Sequence, residues 1–73
     1  MKPETMSKII EHVEHARAKH NGWPKNRDYA LEIAEMEWGE VRHAVRWETV
    51  ERMNEELYDH IAVCVRMIEG DWL

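Results

Sequence analysis

Glu37-x-x-Glu40 and Glu56-x-x-Asp59 put two carboxylates on one face of each of two helical segments, since residues three apart are neighbours on a helix surface. If the two segments form an antiparallel hairpin, residues at one height have position numbers with a constant sum. Glu37 with Asp59 and Glu40 with Glu56 share one such sum, and the turn then falls near residue 48. Four converging carboxylates cannot all stay ionised without a counter-charge, because like charges raise one another's pKa and cost stability. A hard divalent cation resolves this: magnesium, with manganese as the alternative, takes carboxylate oxygens and keeps waters, which suits a site that handles phosphates.

Spacing alone does not single out these acids, because the chain holds five acidic pairs at i, i+3. Mirrored about residue 48, however, Glu32 and Glu35 face Cys64 and Ile61, and Glu11 and Glu14 lie outside the hairpin, so one pair alone finds an acidic partner. Around it the strip Ala30, Ile33, Ala44 is small or apolar, and Glu56 and Asp59 continue into Val63 and Met67, so the carboxylates are expected to look inward. The bland alternative is a solvated acidic helix face. Histidine offers rivals. Glu40-x-x-His43 matches one unit of a di-iron carboxylate bundle, but that design needs two units and Glu56 has His60 only at i+4. His12-x-x-His15 has the spacing to clip zinc if a third ligand joins it. Cys64, the one cysteine, sits in the apolar run Ile61 to Val65 and reads as a small buried hydrophobe.

Three helices are expected to position these groups. The first opens at Pro3, carries Met6, Ile9, Ile10, Val13 and Ala16 at helical spacing, and stops at Asn21-Gly22. Residues 21 to 26 form a break, because Pro24 pushes Trp23 out of the helical region. The second helix begins near Asn26 to Asp28, with the stripe Leu31, Ala34, Trp38, Val41, Val45 as its apolar face. No Gly or Pro marks the next turn, but Thr49 is an acceptable N-cap, and one unbroken helix to residue 69 would leave its apolar faces uncovered. The last helix carries Val50, Met53, Leu57, Ile61, Cys64 and Ile68 on one side, is nearly apolar all round in its second half, and ends at Gly70.

At 73 residues the chain is one all-α domain, residues 1–73, too small to bury much surface alone. With no disulfide available, a metal and oligomerisation remain as ways to add stability. Four Trp and five Met supply apolar surface to share, so an obligate homo-oligomer is expected, in which hairpins dock into four-helix-bundle cores as a dimer or tetramer. A net charge of −5 without a Lys/Arg cluster argues against polymeric nucleic acid as a partner. The longest near-apolar stretch contains Arg66 and is too short to span a bilayer, and the N-terminus lacks the plan of a secretion signal, so no membrane and a cytoplasmic location are expected.

The run Glu37-Trp-Gly-Glu40-Val-Arg-His-Ala44, followed by Glu56-Leu-Tyr-Asp59, resembles the E-x-x-E … E-x-x-D pattern of MazG-like nucleotide pyrophosphohydrolases, including the Gly before the second Glu. The similarity spans roughly residues 5 to 70, and Gly22-Trp23-Pro24 resembles the loop that many members place before the motif helix. The resemblance implies an all-α oligomer that cleaves nucleoside triphosphates to monophosphate and pyrophosphate with magnesium, and it makes Glu37, Glu40, Glu56 and Asp59 the metal ligands and catalytic residues. Two departures stand out: Met36 occupies a position where many members have a further Glu, and the following helix that holds the nucleotide in many members has no counterpart in these residues. A neighbouring subunit is therefore expected to complete the substrate pocket. Lys25, Arg27 and Arg52 are the basic candidates for phosphate contact, and Trp23 is the loop tryptophan placed to stack a base. The alternative is a non-catalytic helical oligomer that keeps the fold for protein contacts.

Overall fold

Each helix begins at a residue suited to the task. Pro3 is the first residue of α1, Pro3–Lys19, where its missing N–H is no loss. Asn26 caps α2, Arg27–Trp47, its side-chain oxygen accepting from the N–H of Asp28 at 2.8 Å and of Tyr29 at 3.4 Å. Thr49 caps α3, Val50–Ile68, its hydroxyl accepting from the N–H of Arg52 at 3.2 Å. The computed structural model describes residues 1–73, with these three helices and no strand. The hairpin turn between α2 and α3 is Glu48-Thr49, both extended, so the break expected near residue 48 is present without Gly or Pro. At the far end of α3, Gly70 takes a left-handed φ of 81°, and the N–H groups of Gly70 and Asp71 return to the carbonyls of Met67 and Arg66, closing the helix in a Schellman arrangement.

α3 is the central element: α1 and α2 each pack against it and not against one another. The core is thin. Trp23, Ala30, Ala34 and Val63 form its buried cluster, with Ile33, Met67 and Trp72 against it. The α2 face that meets α3 differs from the expected stripe. Ala34 and Val41 are buried, but Leu31, Trp38 and Val45 are about half exposed, and the alanines of the carboxylate strip, Ala30 and Ala44, are fully covered. Small side chains let the two axes approach closely, so the strip with the least bulk wins the contact. On α3 the same correction applies. Glu56, Ala62, Val63 and Arg66 are buried, whereas Val50 and Ile68 lie in the open and Met53, Leu57, Ile61 and Cys64 are half-buried. An apolar face of the hairpin thus remains uncovered. No helix is long and apolar enough to cross a membrane.

The loop Trp23 and the buried Arg66 tie α1 to this frame. Arg66 is 3% exposed; it donates to the carbonyls of Ala16 at 3.2 Å and His20 at 2.9 Å, to Asp71 at 2.6 Å, and its guanidinium lies 4.5 Å from the centre of the Trp23 ring. Arg17 of α1 also grips Asp71 and Glu69, and these two arginines hold the Asp71 carboxyl below its ordinary range.

Candidate metal centre

The hairpin register brings the motif acids together. Glu37 of α2 and Glu56 and Asp59 of α3 each offer a carboxylate oxygen, and the three atoms lie within 4.8 Å of one another. Glu40 stands just outside this group and is exposed. Glu56 is 7% exposed, and its Oε1 accepts from Arg52 at 2.6 Å while its Oε2 is buried without a partner. Oε2 of Glu37 is buried and unpartnered as well. Leaving a buried acceptor unmet costs about 1–3 kcal/mol, so the folded chain holds two oxygens whose needs no group of its own meets.

Crowding shows in the electrostatics. Burial, followed by repulsion from Glu40, Asp59 and Glu56, pushes the Glu37 carboxyl up to about 7. Burial also raises Glu56, helped by the neighbouring Glu40 carboxylate and opposed by the charge of Arg52. Three converging carboxylates and no thiolate or imidazole among them favour a hard ion of the magnesium or manganese class over zinc.

α1 supplies a neighbour that hairpin symmetry could not reveal. His12 Nδ1 lies 2.9 Å from Asp59 Oδ1, and its Nε2 lies 3.6 Å from Glu55, with the ring stacked on Tyr58 at 5.2 Å. Its partner in the sequence pattern, His15, is exposed one turn on, and no third zinc ligand joins the two. His43 lies 4.0 Å from Glu48 and is not among the groups that converge with Glu37, Glu56 and Asp59, so the Glu-x-x-His unit does not assemble. His60 lies 3.8 Å from the Cys64 sulfur and packs on Trp38.

Of the basic candidates, Arg52 is at the cluster, paired with Glu56 and with Glu48 at 3.4 Å. Lys25 and Arg27 are at the other end, beside Trp72 and Leu73, and the helical rise puts Arg27 about 15 Å from the level of Glu37. Trp23 is 6% exposed, with one face under Arg66. It is a core residue that also lines a cleft of about 670 Å³ between α1 and α2, and Glu37 and Asp59 stand at one end of that cleft. Comparisons of the chain with protein families, with characterised proteins and with solved structures find no match.

Proposed function

We propose that this chain is a MazG-like, magnesium-dependent nucleoside triphosphate pyrophosphohydrolase that releases nucleoside monophosphate and pyrophosphate. The observation that carries the reading is the convergence of Glu37, Glu56 and Asp59 within 4.8 Å around buried oxygens that lack partners, at the end of a cleft of nucleotide size. The motif resemblance supplies the reaction class.

Glu37, Glu56 and Asp59 would hold a divalent metal, which would supply charge to shield phosphate and a water of lowered pKa. The chain's own groups do the rest. His12 donates to Asp59 and fixes the direction of that carboxylate, and Arg52 holds Glu56 from the other side. Glu40, outside the converging three, is left to accept the proton of the attacking water. The water oxygen bonds to the α-phosphorus as the bond from that phosphorus to its bridging oxygen breaks, and the electron pair leaves on pyrophosphate. In-line transfer of this kind depends on positioning and charge, which the cleft walls provide.

The same reading includes assembly. The uncovered face formed by Leu31, Trp38 and Val45 with Leu57, Ile61 and Ile68 docks on its counterpart in a second copy, giving a four-helix core in a dimer or a tetramer. The free thiol Cys64 accords with a reducing, cytoplasmic setting. Pyrophosphate release from a panel of canonical and modified triphosphates, with and without magnesium, tests the function. Tight metal binding without hydrolysis of any member of the panel would overturn the enzyme and leave a helical interaction protein.

A further inference from the structure

The cleft between α1 and α2 is polarised along its length. At the level of the carboxylates it is closed by Glu37, Asp59 and His12; beyond them the floor is Ala62, Val63 and Ile33, and it ends at Trp23 over the buried Arg66. α1 forms one wall, presenting His15 and Lys19, one and two turns past His12, which the helical rise spaces at about 4.5 and 10 Å. Neither side chain is ion-paired with a carboxylate of the chain. The carbonyls at the end of a helix ordinarily repel anions, but here Arg66 takes those of Ala16 and His20, so the wall near Lys19 is left with the charge of its side chains. The hollow on the opposite side of His12, which His15 and Lys8 also line, is dominated by Glu11, Glu14, Glu55 and Asp59 and disfavours an anion.

We infer that this α1 wall is the subsite for the leaving group: His15 and Lys19 hold the two phosphates beyond the reacting one, with the nucleoside directed away from Trp23. The inference rests on the function proposed above and assigns phosphate binding to α1 in place of Lys25 and Arg27. His15 donates a ring N–H, and Lys19 contributes a charge-assisted bond that meets the terminal phosphate. The ligand class is therefore a linear polyphosphate, and pyrophosphate alone satisfies the wall.

Calorimetric titrations of the full chain with magnesium alone, with inorganic pyrophosphate plus magnesium, with an α,β-methylene nucleoside triphosphate and with a nucleoside monophosphate test it. Lys19→Gln, and Lys19→Gln combined with His15→Gln, should weaken pyrophosphate and the triphosphate analogue by about tenfold or more, the scale of one or two hydrogen bonds to a charged group, with monophosphate and metal affinities within about twofold. Lys2→Gln, which removes the same charge at the start of α1, should change none of these. Equal weakening of monophosphate and triphosphate, or no weakening in the double variant, overturns the subsite while metal binding still stands. A wild-type chain that binds no magnesium overturns the metal centre and the subsite with it.

Discussion

Burial and the neighbouring carboxylates push the Glu37 carboxyl up to about 7 in the fold against 4.5 in the free chain, so across the range between them the folded protein binds more proton than the unfolded one. A raised carboxyl favours folding fully below 4.5, and that contribution disappears as pH rises through 7; Glu56 shifts in the same direction. Metal-free protein should therefore melt at a lower temperature at pH 8 than at pH 5, and thermal melts of Glu37→Gln should show a visibly smaller fall over that window. Magnesium at millimolar concentration should recover much of the loss at pH 8 in the wild type, because only the folded hairpin presents its ligands. An unchanged melting temperature on adding metal would count against the centre. At the same scale, Asp59→Asn should abolish turnover and leave the helical circular dichroism unchanged, as the exposed side chain contributes charge and little packing. Although Glu40, expected with them, stands outside the converging three, Glu37, Glu56 and Asp59 were legible in the sequence through their mirrored spacing, which depends on two helices and one turn. His12 was not, because its approach to Asp59 depends on how α1 lies on α3, and that is set by a buried arginine that reads in the sequence as an interruption of an apolar run.

Helix limits follow from local chemistry and could be read within a residue or two, from Pro3, Asn26, Thr49 and Gly70. Faces could not. α2 and α3 each carry two candidate stripes, and hydrophobicity ranks the bulkier one first, whereas close packing selects the alanine strip that also bears Glu37. Loss of the Thr49 cap should matter more than an average surface change, since no Gly or Pro reinforces the turn: Thr49→Ala is expected to lower stability by about 1 kcal/mol in urea denaturation. Arg66→Met would strip the carbonyls of Ala16 and His20 of their donor and remove the cation over Trp23. It should cost about 3 kcal/mol, and a loss below 1 kcal/mol would show that solvent replaces the arginine.

At the scale of the molecule, ten of 73 residues are buried, and no large side chain is fully enclosed, so the single chain has little to hold it together. Light scattering of the wild type should give a dimer or larger as the smallest folded species. Leu31→Glu with Ile68→Glu, both exposed within one subunit, should shift the population to monomer and lower the melting temperature; a wild type that stays monomeric and folded at micromolar concentration would remove the shared-core assembly. That α1 and α2 touch only α3 has a consequence for the history of each molecule. While the chain is being synthesised, the first two helices have no tertiary partner to recognise, and their amphipathic faces stay open until the final helix emerges. Docking can then occur only in one late event, in which α3 recruits both flanking helices, so a nascent chain stalled before Thr49 should be protease-sensitive throughout and bound by general chaperones, and protection should appear in a single step only once the whole of α3 has emerged.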